Sequence, residues 1–377
     1  MTIIWWKRII IYCLCFLFLS SPAILFTDLS WGLDAPDKKV YSTEQPEQVA
    51  KKIKNLFEDN MYRLEPKTQG HYSIRLWRIT GNSRYLYPIF FHYLVLKEQF
   101  IQQVNNIHSP EYINSFSDKF LAEKFKTSKG QIRKKLLEKH KEFVFACELL
   151  ETAYQIKNLE MDSVELQKDF EQAKDYLATL RFNQFLLDTQ IVKYYAPQAV
   201  NYVYYLKFLG LLDLQQEFEA LFKQIFSLER DSDLDEIEYE NKIYGLTHFI
   251  IAGSNYYQVY ASSQKYSWIL NYFEEHIEEI LRRSKPDVIA EVGLCFKLCG
   301  LKNHKVVNLT AQKILEAFEP QQGLIPPEKG KANLNKSEHR NVIAYLLLTD
   351  FEQLYPGPNL AEIAKLNYIF EDIDKGE

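Results

Sequence analysis

The sequence predicts an all-α chain of about six helical hairpins, closed into a ring or, in the alternative, stacked as an open α-solenoid. Three observations predict it. Chain breakers are scarce, with 13 Gly and 13 Pro in 377 residues, while 25 Tyr and 25 Phe crowd the apolar positions. Apolar residues recur at helical spacing over long stretches, and the strict alternation of a half-buried strand is hard to find. One unit also repeats: an apolar helix, a short turn that often holds Gly, and a second, more charged helix.

At the start of the chain, Lys7 and Arg8 precede an apolar run from Ile9 to Leu19 that ends at Ser20-Ser21-Pro22-Ala23. A basic flank, an apolar core of about 7–15 residues and a small-residue end form the pattern of a secretory signal. Residues 1–23 are expected to be a signal peptide, or else a retained anchor, because Ile24-Leu25-Phe26 carries the apolar stretch toward the ~18 residues that span a bilayer. Residues 24–60 read as an N-terminal linker and first helix, and 61–377 as the helical-repeat domain. The expected location is the periplasm or cell envelope, with membrane contact only if the N-terminal segment is kept. A net charge of -5 from dispersed acids and bases gives no field to gather nucleic acid. Beyond the signal, Cys147, Cys295 and Cys299 are too few for a disulfide framework and are expected to be buried thiols.

First helices are expected to begin near 71, 139, 198, 244, 287 and 338, mostly at the roughly 40–60-residue spacing of paired-helix repeats. The hairpin from His71 turns at Gly81 and continues to about Leu96. The next pairs Lys139 to Asn158 with Val164 to Arg181. Others turn at Gly210, Gly253 and Gly300, and the last turns at Thr349-Asp350. The first member of each pair should be buried and the second should face water.

The varied linkers favour closure of the ring. The layout resembles the α/α-toroid class, in which many exported polysaccharide-processing enzymes are found, and Thr80-Gly81-Asn82-Ser83-Arg84-Tyr85 and Gly323-Leu-Ile-Pro326 look like its inter-helix turns. Tyr244-Gly-Leu-Thr-His248, Glu291-Val-Gly-Leu-Cys-Phe-Lys-Leu-Cys-Gly-Leu and Ser337-Glu-His-Arg-Asn-Val342 carry a resemblance over most of the chain to an uncharacterised family of exported bacterial proteins, domain of unknown function 3541. That resemblance implies a domain extent and no activity.

In such a ring the reactive cleft is expected at the mouth where inner helices begin, since helix N-termini present free N–H groups and positive dipole ends. The opening turns then offer His71 and Arg75, Asn201 and Tyr202, Tyr244 and His248, Asp287 and Glu291, and Glu338, His339 and Arg340. Several are i, i+4 pairs sharing a helical face. His248 or His339 would act as general base, Tyr244 as proton donor, and Arg75 or Arg340 would hold a substrate carboxylate, a set suited to β-elimination from a uronate polymer. Alternatively, Glu291 with Asp287 or Glu338 would be the acid and base of glycoside hydrolysis. Tyr244, His248, Glu291 and His339 are thus the expected catalytic group, with His71, Arg75, Asn201, Asp287, Glu338 and Arg340 binding a polysaccharide or other extended polymer. No cofactor or metal is expected. The competing reading treats the same residues as caps or core hydrogen-bonders, with Ser337 an N-cap and Ser284 part of a capping box, in a binding or assembly protein of the envelope.

The loop from Gly323 to Lys336 is expected to be a lid or a surface crossover. Tyr256, Tyr257 and Tyr260 offer stacking faces, or core at helical spacing. Asp231-Ser-Asp233-Leu-Asp235 lacks the glycine and closing carboxylate of a calcium loop and reads as a solvated linker. Lys124, Arg133, Lys134 and Lys135 read as an exposed basic face, and Cys295, Cys299 and His304 lack a fourth zinc ligand.

Overall fold

A computed structural model describes residues 45–125, 128–161, 164–227, 231–327 and 333–362. The residues of the expected signal peptide lie outside this set. Along the chain run α1 (Pro46–Asp59), α2 (Pro66–Thr80), α3 (Leu86–Val104), α4 (Pro110–Lys124), α5 (Ser128–Leu137), α6 (Lys141–Asn158), α7 (Gln167–Thr179) and α8 (Phe182–Leu186). Next come α9 (Thr189–Phe208), α10 (Gln215–Ile225), α11 (Glu236–Gly253), α12 (Ser267–Glu275), α13 (Ile277–Arg283), α14 (Pro286–Leu298), α15 (Lys305–Ala317) and α16 (Leu334–Leu348). Among the described residues the sole β feature is an isolated bridge between Glu319 and Leu324. The fold is all-α, and no described helix is long and apolar enough to cross a membrane.

Two kinds of helix alternate. In α14 every residue from Val288 to Leu298 is buried, and α16 is buried from Asn341 to Leu348. Other helices bury one stripe: Phe218 and Phe222 in α10, and Val306, Val307, Thr310 and Ile314 in α15. A helix apolar on all sides must be enclosed, whereas one with a single stripe packs that stripe inward and leaves its charges in water. The turns after α9 and α14 pass through Gly210 and Gly300 at φ of 69° and 76°. A Cβ at either would meet nothing within 4 Å, so glycine serves there for its left-handed backbone.

Packing links the helices in succession. α2 lies against α3, α3 against α6, α6 against α9, α9 against α11, α11 against α14, α14 against α16, and α16 returns to α2. α1 also packs on α16.

Several helices start earlier than the sequence spacing suggests. Asp188 opens α9 and Asp235 opens α11, each accepting two backbone N–H bonds through its carboxyl group. α16 is capped by Asn333, which accepts the Lys336 N–H at 3.1 Å, and not by Ser337, which lies inside the helix. Lys285 occupies the N-cap of α14 without a side-chain bond, so Ser284 forms no capping box. The expected start near 198 reflects a real break: α9 kinks at Tyr195, and Pro197 sits in the first turn beyond the kink. Asn201, Tyr244 and His248 therefore project from helix interiors, beyond the reach of free N-terminal N–H groups.

Candidate functional site

A cavity of about 250 Å³ is walled by α2, α3, α6, α9, α11, α14, α16 and the turn after α11. Six of the ten sequence-nominated residues line it: His71, Arg75, Asn201, His248, Glu291 and His339. Two more stand behind these. The Tyr244 hydroxyl is 2.9 Å from His339 Nε2, and Glu338 holds His71 Nδ1 at 2.7 and 2.9 Å. Asp287 and Arg340 do not line the cavity. Arg340 stands 3.6 Å from the Asp287 carboxyl and donates to the Pro326 carbonyl at 2.7 Å, while Asn341 bonds both backbone groups of Ile325. These contacts fasten the start of the 323–336 loop to α16; residues 328–332 of that loop lie outside the described set. Tyr202 is buried beside Tyr195.

The two histidines nominated as base are shifted in opposite directions. Burial pushes His248 down to about 4, and the charges of His339 and Arg75 add to this against the pull of Glu291. Its Nδ1 lies 2.9 Å from Asn201 Oδ1, which also accepts the Tyr256 hydroxyl at 2.7 Å. Because Oδ1 can only accept, the His248 proton sits on Nδ1 and the Nε2 lone pair is left open. For His339, burial opposes the charge, but the hydrogen bond and charge of Glu291, 3.5 Å away, outweigh it and raise the imidazole above its ordinary range. Glu291 is 1% exposed; burial works against its ionisation, yet His339, His248 and a 2.6 Å bond from Thr247 hold its carboxyl below the usual value. Burial likewise lowers His71 to about 4.

Three groups of lining residues lie outside the sequence nominations. Arg78 follows His71 and Arg75 at i, i+4, i+7 spacing on one face of α2, a signal present in the sequence. Tyr154 and Tyr205 stack with ring centres 4.0 Å apart, beside Tyr256, a stacking face that the sequence does nominate, at 5.6 and 5.7 Å. The far end adds Lys67, His92, Glu151, Gln155 and Asn158.

Tyr256 and Tyr257 enter the cavity from an unusual turn. Asn255, Tyr256 and Tyr257 have φ of 51°, 54° and 73°, three successive left-handed residues without a glycine. For Tyr256 and Tyr257 this costs roughly 1–2 kcal/mol each relative to the right-handed region, whereas Asn255 is a residue type that tolerates it. Surrounding bonds impose it: Arg78 donates to the Tyr256 carbonyl at 2.8 Å, Tyr204 to Asn255 Oδ1 at 2.8 Å, and the Tyr257 N–H to Ser254 Oγ at 2.9 Å. Strain kept in this way gathers at sites that hold ligands. Tyr260, by contrast, is exposed and donates to the Glu352 carbonyl.

Elsewhere, two readings change. Asp231 is no solvated linker: it is buried, paired with the fully buried Lys242 and bonded by Tyr272 at 2.6 Å. With His276 and Glu279 it makes the one metal-type cluster found among the described residues, but the adjacent ammonium supplies the cation there. Arg133 turns inward, donating to the Tyr194 carbonyl and to Asn241 Oδ1 at 2.7 Å each, and so leaves the basic face of α5. Cys147, Cys295 and Cys299 are buried free thiols.

A family model described as Domain of unknown function (DUF3541) matches residues 46–375. No curated protein and no solved structure gives a significant match.

Proposed function

Since the chain belongs to the DUF3541 family, whose description carries no activity, we propose from the cavity that it is an exported α/α-toroid enzyme that cleaves a carbohydrate polymer. Export rests on the N-terminal pattern, and the closed ring on the succession of helices that leads from α2 through α16 back to α2. The observation that carries the chemistry is the pair of cavity histidines, His248 lowered to about 4 and His339 raised. Two titratable groups pushed apart in one site mark a base and an acid.

Elimination has more support than hydrolysis. Hydrolysis needs two carboxyl groups facing one bond. Asp287 is engaged with Arg340, Glu338 with His71 and Glu151 with Gln155, while Glu291 is held ionised. In an elimination, His248 Nε2 takes the proton from C5 of a uronate ring. The electron pair of that C–H bond becomes the C4–C5 double bond, the C4–O bond leaves with its pair, and the departing oxygen takes the proton of His339. Tyr244 and Glu291 orient His339 through their contacts with its ring.

The test is turnover of a polysaccharide panel by the purified chain, following the ultraviolet absorbance of an unsaturated uronide and, separately, new reducing ends. His248→Ala and His339→Ala should each lose about 10²-fold or more. His248 works neutral, so activity should fall as pH drops toward about 4; His339 works protonated, so it should fall as pH rises past the ordinary imidazole value of 6.5. Absence of turnover on every polymer contradicts the enzyme reading.

One observation favours an assembly role instead. Tyr87, Phe90, Phe91, Leu94 and Val95 are exposed along α3, and the first four border, with Tyr62, a surface groove. If that face joins two copies, Phe91→Glu should convert a dimer to a monomer in light scattering; a wild-type monomer at all concentrations removes this reading.

A further inference from the structure

Arg75 and Arg78 stand one turn apart on α2 and line the same cavity. Arg78 is 3% exposed and donates to two carbonyls, of Gly357 at 3.0 Å and Tyr256 at 2.8 Å. Arg75 donates to the His71 carbonyl at 3.0 Å and lies 5.5 Å from the centre of the Tyr257 ring. Neither forms an ion pair with any carboxylate among the described residues, and each keeps one buried N–H group, Arg75 Nε and Arg78 Nη2, without an acceptor. A buried and a half-buried like charge, one turn apart and with only neutral partners, are costly unless an anion completes them.

The cavity's own carboxyls do not supply that anion. Glu291 is occupied by Thr247 and His339. Glu151 accepts from Gln155 at 3.2 Å and bears on His92 and Lys124, while the charged or ionisable groups that bear on Arg78 are Arg75 and tyrosines. The charge of Arg75, meanwhile, depresses His71 and His248.

We propose that Arg75 and Arg78 form a subsite for the carboxylate of an acidic sugar, whose ring lies against Tyr205, Tyr256 and Tyr257. A guanidinium offers paired N–H donors that match a carboxylate, and tyrosine faces cover the apolar side of a sugar ring while their hydroxyls meet its polar edge. A volume of about 250 Å³ suits a single ring rather than a run of polymer. The sugar half of this proposal rests on the carbohydrate reading of the cavity; the anion half rests on the charge balance alone.

Calorimetric binding to the purified chain tests it with a uronate-terminated disaccharide, the matching neutral disaccharide, glucose 6-phosphate and sodium sulfate. Only the uronate should bind well, Arg75→Met should weaken it about 10–100-fold, and Arg75→Lys should recover part of the loss because it keeps the charge and not the fork. Equal binding of the neutral sugar overturns the subsite. Preference for phosphate or sulfate overturns the uronate assignment. Should Arg75→Met fail to fold, the uronate-to-neutral ratio on the wild-type chain decides alone. Uronate binding without turnover of any polymer would keep the subsite and remove the enzyme; His248-dependent turnover of a neutral glycan would do the reverse.

Discussion

Lys242 is a cation of the protein interior and Arg75 a half-buried cation on the cavity wall, and the two differ in what neutralises them. Lys242 is fully buried, pairs with Asp231, donates to the Ser227 carbonyl at 3.1 Å and lies 4.3 Å from the centre of the Tyr272 ring, whose hydroxyl bonds the same carboxyl group. Lys297 is closed in another way, donating at 2.6–3.2 Å to the carbonyls of Leu346, Leu347 and Thr349 at the end of α16, where the helix dipole is negative. Arg75 has a carbonyl and a ring but no anion. Cations that serve the fold are balanced by the fold, and one left unbalanced beside a cavity is set for something the fold does not contain.

Substitutions can break this contrast. Lys242→Met should have the largest effect, about 3–5 kcal/mol in denaturant melts, because it strands the Asp231 charge in the interior. A loss under ~1 kcal/mol would mean that water reaches Asp231. Lys297→Met should cost about 1–3 kcal/mol by leaving carbonyls of α16 without a donor. Arg75→Met should change stability by less than ~1 kcal/mol, or raise it, since no partner is stranded and an uncompensated charge is removed. A loss as large as that of Lys242→Met would reveal a structural counter-ion and end the contrast.

Legibility in the sequence depends on how local each signal is. Helical periodicity and turn glycines are local, so α14, α15 and the hairpin turns appear where the sequence suggests. Helix starts are displaced because Asp188, Asp235 and Asn333 act as caps well ahead of the apolar runs. His71 with Arg75 is legible because i, i+4 spacing keeps side chains on one face, whereas the same rule joins Asp287 to Glu291 and only Glu291 reaches the cavity. Arg340 is not separable from His339 by that rule: one residue further turns the side chain by about 100°, toward Asp287 and the Pro326 carbonyl. Arg78 shares the face of His71 and Arg75 but stands too deep in α2 to be found among opening turns. The left-handed run at Asn255–Tyr257 is held locally by Ser254 and from other helices by Arg78 and Tyr204, contacts that the sequence does not display. Asp231 looks solvated in the sequence because its partner, Lys242, stands on the following helix.

The unbalanced cation is tested most directly by thermal melts of the wild-type chain and Arg75→Met, each with and without the uronate-terminated disaccharide. Ligand that binds only the folded state raises the melting temperature in proportion to its occupancy. The expected result is a wild-type chain stabilised by the uronate and an Arg75→Met chain that melts at or above the ligand-free wild type and does not respond. An Arg75→Met chain that melts well below the wild type, or that gains as much from the uronate, would contradict it.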